Sequence, residues 1–541
     1  LSRGVLTDGR PGTGRRTSVL DLLEDGATGR GTVHFVGEEA EPTPMARLWA
    51  DSELSARWTA AHIGTGGVVA AVLTNTRACV ATLFGAWRAG CTVASLPLPA
   101  RGMSPEIYGA QLARFCAAAG ARTLLVDPEH APLIGDVRVP VHTHDETQRG
   151  GPPSSLEGNG ALVQFTSGSV SSPKGIYLTL DAVGTNVEAI VRTLDPELGD
   201  SSCSWLPLSH DMGLIGQLLS PLAASAAHWG HHNLTLMKPE TFAANPRSWL
   251  RTCSEKGSTI TCVPNFALDL AVRTNRRMGA LDLSRLRTII VGSESVKRDT
   301  LERFTESFAP AGFRPIAFSP GYGMAEATLA VTIVPPDELW HAVPRPSQLG
   351  EPGGAPRSLV SCGRAVTGVD VRVAGSSGSV GPIEFRSVSM LSHYIGSELR
   401  LTDDGYLVTG DIGMMQDDEL YVVGRGDDAI VVAGHVVYAD DIEVAVDHES
   451  IRPSCIAAVA APDGGLAIVA EPAAPRMSTA ELEDACRAIR RVVAGRTGWP
   501  TATVAFVARG SLPKTPSGKL RRLAIARLLS TDELLARVDF A

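Results

Sequence analysis

The feature that most restricts the fold is an alternation of strand-like and helix-like segments, met twice. From Val68 to Asp127 the chain runs VVAAVLT, RACVATLFGAWRAG, TVASLPL, the helical QLARFCAAAGA and RTLLVD. The same rhythm returns in STITCVPN, ALDLAVRTNRRMG, LRTIIVGSE, the DTLERFTESFAPAG helix and RPIAFSPGYG. Apolar runs joined through helices must lie parallel, because a parallel pair needs a crossover, and such sheets carry helices on their faces. The expectation is therefore an α/β chain with a large N-terminal domain of mixed or parallel sheets and flanking helices. Its 541 residues exceed the size at which one hydrophobic core stops growing, about 250 to 300 residues, so at least two domains are required.

The rhythm changes twice more. Between Pro335 and Arg357 the sequence PPDELWHAVPRPSQLGEPGGAPR clusters proline and glycine, which excludes helix and central strand and predicts a long surface excursion. Beyond it VDVRVAG, GPIEFRS, GYLVTGDIG and ELYVVGR read as a small antiparallel β unit. From Gly426 the strands AIVVAG, CIAAVAAP, LAIVAEP and VAFVARG, with helices over DDIEVAVD and TAELEDACRAIRRVV, form a separate α+β pattern. The predicted division is residues 1–424 and 425–541.

Composition narrows the function. A net charge of -9 offers no basic field for a phosphate backbone, so small-molecule chemistry is favoured over nucleic acid. Nine scattered cysteines, never in a C-x-x-C pair, predict reduced core residues and neither a disulfide framework nor a zinc site. No run approaches the roughly 18 apolar residues of a membrane span and no signal-like h-region opens the chain, so a cytoplasmic location is expected.

One loop stands out chemically. Residues 164–175 read QFTSGSVSSPKG, placing Thr166, Ser167, Gly168, Ser169 and Lys174 between the strand-like ALVQF and the helical DAVGTNVEAIVRTL. Glycine lets backbone N–H groups approach phosphate, hydroxyls add donors and lysine brings a mobile charge, so the loop could cradle ATP. By composition alone a flexible surface loop is the commoner reading of such a stretch, and it is not a Walker A loop.

The TSGS…PKG segment resembles the phosphate loop of the adenylate-forming superfamily, which embraces acyl-CoA synthetases, luciferases, peptide-synthetase adenylation domains and fatty acyl-AMP ligases. Further segments of the family follow in order: SWLPLSHDMGLIGQLLSPL (204–222), VPNFALDL (263–270), LSRLRTIIVGSESV (283–296), PGYGMAEATL (320–329), TGD (409–411), GRGDDAIVVAG (424–434), YADDIE (438–443) and LPKTPSGKLRR (512–522). The HDMGLIG segment is most similar to that of fatty acyl-AMP ligases.

This resemblance implies ATP-dependent conversion of a carboxylic acid to an acyl-AMP. Lys519 would bridge the acyl carboxylate and the α-phosphate, Glu326 would bind Mg²⁺, and His210 would stand at the carboxylate end of the acyl pocket. Tyr322, Gly323 and Met324, with the backbone of Gly292, Ser293 and Glu294, would line the nucleotide, while Asp411 and Arg425 would reach the ribose. Ile215, Leu218, Leu219, Phe266 and Leu268 either line an acyl pocket or pack the core. A pantetheine thiol, on an acyl carrier protein or on CoA, would accept the acyl group after rotation of a small mobile C-terminal domain. An insertion at the place of residues 335–357 disfavours free CoA in fatty acyl-AMP ligases. Two departures stand against the pattern: Val170 and Ser171 replace the usual Thr-Gly, and Asp427 stands where the hinge has lysine, beside Asp428. They leave open a binding module that no longer adenylates. Adjacent carboxylates would repel and alter the docking of the small domain.

Overall fold

The computed structural model describes residues 17–38, 41–99, 103–152, 159–165, 174–226, 232–275, 281–346, 358–375, 378–432, 435–439, 442–443, 446, 448–461, 465–497, 503–514, 520–531 and 536–540. Thr166, Ser167, Gly168, Ser169, Val170, Ser171 and Lys519 therefore lie outside the described residues, as do 347–357 of the surface excursion and most of the predicted DDIEVAVD helix.

Two large sheets form the body of the fold. In the first, strands Val68–Val72, Thr92–Leu96, Thr123–Val126, Val141–Thr143 and Ala161–Phe165 run parallel, and Gly175–Thr179 and His393–Ile395 close one side antiparallel. In the second, nine strands include the parallel series Ser201–Ser204, Ile260–Val263, Thr288–Val291 and Phe318–Gly323, after which Ala330–Ile333 turns back antiparallel. Both alternations in the sequence thus become parallel strands joined by helices. The antiparallel strand Gly175–Thr179, which pairs with Ala161–Phe165, was not expected.

Helices fill the space beside these sheets. Arg77–Arg88 begins at Thr76, whose hydroxyl accepts the Cys79 N–H, and buries Val80, Phe84 and Trp87. It lies so close to helix Met45–His62 that a Cβ on Gly85 would come within 2.4 Å of the Ser55 side chain. Helix Leu180–Leu194 buries Val183, Val187 and Ile190, joining the core that runs from Val19 to Leu407. A second core, rich in Phe304, Phe308, Phe313 and Phe318, packs beneath the second sheet.

The expected antiparallel unit is a sheet of Val369–Val373, Gly381–Ser387, Leu407–Gln416 and Glu419–Arg425. The Pro/Gly-rich excursion enters and leaves through a two-stranded ribbon, Ala342–Pro344 with Ser358–Val360. After Arg425 come the hairpin Ala429–Val432 and His435–Tyr438, then a sheet of Ile451–Ala460, Leu466–Pro472, Thr503–Val507 and Ala536–Phe540, with helix Thr479–Thr497. This segment has cores of its own around Ile468, Ile489 and Phe506 and around Val469 and Ile525. All nine cysteines are buried and none is in a disulfide, and among the described residues no helix is long and apolar enough to cross a membrane.

Candidate active site

Residues 292–294 and 322–326 sit at the carboxyl ends of two neighbouring parallel strands, where open α/β sheets place ligands, while Asp411 reaches them from the antiparallel unit and Lys174 from the first sheet. Thr288–Val291 pairs with Phe318–Gly323 so that Val291 lies opposite Pro320. Gly292 follows the first strand, and a Cβ there would stand 3.1 Å from the Gly321 carbonyl oxygen. Ser293 adopts φ 65° and donates to the Met212 sulfur at 3.4 Å. The Glu294 carboxylate accepts the Phe266 N–H at 2.5 Å, which anchors the start of helix Asn265–Thr274. Its side chain thus has a structural task; the backbone of 292–294 borders the strand ends.

After Tyr322 the chain reverses tightly. Met324 N–H donates to the Leu329 carbonyl at 2.9 Å, and a Cβ on Gly323 would fall 1.8 Å from that same oxygen, so only glycine fits. Thr328 is held at φ 74° by its hydroxyl bond of 2.6 Å to the Ser389 carbonyl. The fully buried Asn186 exchanges amide bonds of 3.0 Å with both backbone groups of Ala330. Glu326 rides on this turn. Its carbonyl accepts the Leu391 N–H at 2.8 Å, and its carboxylate accepts the Tyr394 hydroxyl at 3.2 Å. Lys174, just past the phosphate-loop segment, holds its ammonium 3.5 Å from the centre of the Tyr394 ring.

Beside this group, the Tyr322 hydroxyl donates to Asp411 at 2.8 Å, and Arg425 lies 3.4 Å from the other oxygen of the same carboxylate. Burial, reinforced by the Asp411 charge, pushes the Tyr322 phenol well above its usual range, so it remains a donor. Asp411 is presented by the TGD turn, with its N–H on the Thr409 hydroxyl at 3.1 Å. Arg425 is largely exposed, which leaves its guanidinium mobile.

His210 precedes a segment that the sequence read only as apolar. Residues Met212–Leu219 form a π-helix, whose wider turn is common at functional sites. The His210 Nδ1 lies 2.6 Å from Asp211 Oδ1, so the imidazole is already oriented by a carboxylate. Of the apolar candidates, Ile215, Leu218, Leu219 and Leu268 are completely buried core residues. Core packing accounts for them. Phe266 instead stands at 70° to Trp205, which stacks on Phe242 at 3.6 Å, giving a partly buried aromatic wall near Met212.

In the C-terminal segment the hinge and the lysine motif are joined. Arg522 binds Asp428 at 2.7 Å and both oxygens of Glu443 at 2.8 and 2.7 Å. The carboxylate pair of the hinge is thereby partly neutralised through Asp428, a compensation invisible in the sequence. The buried Glu471 accepts the Leu512 N–H at 3.1 Å and binds Arg452 at 2.6 Å, fixing the other foot of the Lys519 segment.

Magnesium fits Glu326. The ion takes one or two protein carboxylates and completes its shell with phosphate and water. Among the described residues the three-ligand cluster that could hold a metal is Asp127, Glu129 and His130 on another sheet, so Glu326 belongs to no closed protein cage. Tyr394, Asn186 and Arg522 were not found from the sequence. Each is an isolated polar or aromatic residue whose partner is remote in the chain, and no spacing announces it.

The pattern of AMP-binding enzymes matches residues 45–395. With the two-sheet fold and the strand-end site, this shows that the chain belongs to the AMP-binding enzyme family and is an enzyme of the adenylate-forming class. Within that class it is similar to fatty acyl-AMP ligases. It is 32% identical to the long-chain-fatty-acid–AMP ligase FadD32 of Mycolicibacterium smegmatis over 67% of this chain and 68% of that protein. It is 31% identical to the medium-chain-fatty-acid–[acyl-carrier-protein] ligase JamA of Moorena producens, over 67% of each chain. A solved structure from a study of fatty acyl-adenylate ligases from E. coli and L. pneumophila superposes with a TM-score of 0.86 at 25% identity, covering 95% of this chain and 98% of that one.

Proposed function

We propose that the chain joins a fatty or similarly apolar carboxylic acid to the α-phosphate of ATP, releasing pyrophosphate, and then passes the acyl group to the pantetheine thiol of an acyl carrier protein. The observation that carries the reading is the convergence of Tyr322, Asp411 and Arg425 with Glu326, Tyr394 and Lys174 around adjacent strand ends.

Two anions must meet in the first step, so the site has to supply positive charge and fixed donors. Glu326 would hold Mg²⁺, which when bound would supply charge neutralisation of the phosphate oxygens. Lys174 and the hydroxyls of Thr166, Ser167 and Ser169, with the backbone of Gly168, bind the outer phosphates. Asp411 accepts the ribose hydroxyls, exchanging its bond from Tyr322 for theirs, and Arg425 steadies the same sugar. Gly292, Ser293 and Glu294 offer backbone groups to the base, with Tyr322, Gly323 and Met324 as the facing wall. His210, oriented by Asp211, positions the carboxylate. Lys519 stabilises the charge that develops between acyl oxygen and α-phosphate, and the small region 425–541 delivers it.

Two features support a carrier protein over CoA as acceptor. JamA, a carrier-protein ligase by name, aligns over two thirds of the chain. The ribbon of the 335–357 excursion is also pinned to the strand leading into the hinge: His341 Nε2 lies 2.7 Å from the Tyr421 hydroxyl, and the Cys362 N–H donates to Leu420 at 2.8 Å. An excursion anchored there would limit rotation about residues 425–428.

The test is ATP–pyrophosphate exchange with a pool of fatty acids of graded length. Acid- and Mg²⁺-dependent exchange is expected. Binding of an acyl-AMP analogue without exchange for any acid would establish a binding module instead. Once an adenylate is formed, thioester should appear on a holo carrier protein and not on CoA; the reverse would overturn the acceptor.

A further inference from the structure

The segment 391–395 lies outside the sequence motifs named above, and the proposed steps give it no role. Its strand His393–Ile395 pairs with Gly175–Thr179, placing Tyr394 opposite Ile176 and Ile395 opposite Gly175, the residue after Lys174. Just before the strand, Ser392 N–H donates to the Tyr177 carbonyl at 2.9 Å and Leu391 N–H to the Glu326 carbonyl at 2.8 Å. The backbone of five residues therefore ties the base of the phosphate loop to the turn carrying the metal carboxylate.

The Tyr394 side chain repeats this link. Its hydroxyl donates to Glu326 Oε1 at 3.2 Å while its ring face carries the Lys174 ammonium at 3.5 Å. The two contacts reinforce one another. Donation to a carboxylate raises electron density in the phenol, and a richer ring face attracts a cation more strongly. A phenylalanine would keep the face and lose the donor, and an aliphatic side chain would lose both.

We infer that Tyr394 is a positioning residue for Mg-ATP, holding the phosphate-binding cation of Lys174 and the metal-binding carboxylate of Glu326 in register on one side chain before the nucleotide arrives. This rests on the adenylation reading of the site. Pre-set groups spend no ordering entropy when the triphosphate binds, so the gain appears as affinity, divided between the metal and the phosphate contact.

Isothermal titration of the full chain with ATP, once in EDTA and once in saturating Mg²⁺, separates the two roles without any acid. Tyr394→Phe should bind metal-free ATP within about twofold of wild type and lose about tenfold of the enhancement that Mg²⁺ brings, the scale of one charge-assisted hydrogen bond. Tyr394→Leu should show that loss and a further weakening of about threefold to fivefold toward metal-free ATP, the scale of a cation–π contact. Adding Lys174→Ala should abolish the difference between Phe and Leu at position 394. Thermal melting confirms that each variant is folded, and Tyr394→Phe decides the matter even if the leucine variant does not fold. A phenylalanine variant with the full Mg²⁺ enhancement, or one weakened equally with and without the metal, overturns the inference. Failure of the wild-type chain to bind ATP would overturn the nucleotide reading itself, and is read from a different trace.

Discussion

The large region and the C-terminal segment hold their functional residues by different forces. Glu326, Tyr322 and Gly323 sit on a turn secured by neutral bonds and close packing: Asn186 on Ala330, Thr328 on Ser389, and a glycine with no room for a Cβ. The described residues on either side of Lys519 are secured by charge, with Arg522 on Asp428 and Glu443 and with Glu471 on Leu512 and Arg452. Packed anchors are short-ranged and insensitive to salt; ionic anchors tolerate small displacements and weaken with screening. That division suits the proposed function, in which one half defines a fixed nucleotide geometry and the other moves.

The comparison breaks most completely if Lys519 itself is removed. Lys519→Ala should lose on the order of 3 kcal/mol of transition-state stabilisation, a fall of about a hundredfold in exchange rate, with the melting temperature unchanged. Gly323→Ala tests the packed side. Its Cβ meets a backbone oxygen that cannot swing away, so a destabilisation of about 3 kcal/mol is expected, equal at low and high salt in denaturant titration. Arg522→Met should cost about 2 kcal/mol by stranding two carboxylates, and the stability gap from wild type should narrow as salt rises.

The smallest effect is a pH dependence confined to the ionic side. Glu471 is pushed up by burial, but bonds from the Gly510 and Leu512 backbone and from Arg452 outweigh this and bring it below its ordinary 4.5. A carboxyl lowered on folding contributes stability that is fully present above its unfolded value and is lost as pH falls through the folded one. Amide exchange around Leu512, corrected for its intrinsic pH dependence, should therefore accelerate below about pH 4.5, and in Glu471→Gln this acid step should be absent. Persistence of the step in the variant would assign it to another group.

Much of the fold was legible because period-2 and period-3.6 patterns are local. Strands such as Thr288–Val291 and helices such as Arg298–Phe308 state themselves in consecutive residues. The Gly175–Thr179 strand did not, since GIYLT is short and its pairing is decided by Ala161–Phe165 and His393–Ile395. The π-helix at Met212–Leu219 escaped because an apolar run does not state how widely its turns are wound. In the site, residues in motif order could be named, whereas Tyr394, 68 positions from Glu326, could not. Repulsion at the hinge was inferred from Asp427 and Asp428 standing side by side, and Arg522, 94 positions on, supplies a counter-charge to the second.

The grip of Arg522 has a mechanical meaning. It holds Asp428 directly, so in the proposed rotation about residues 425–428 it would turn with the pivot as one short crank. With Lys519 acting as proposed, three places before Arg522 in the sequence, a single angle would time both when the acid is activated and when it is handed on.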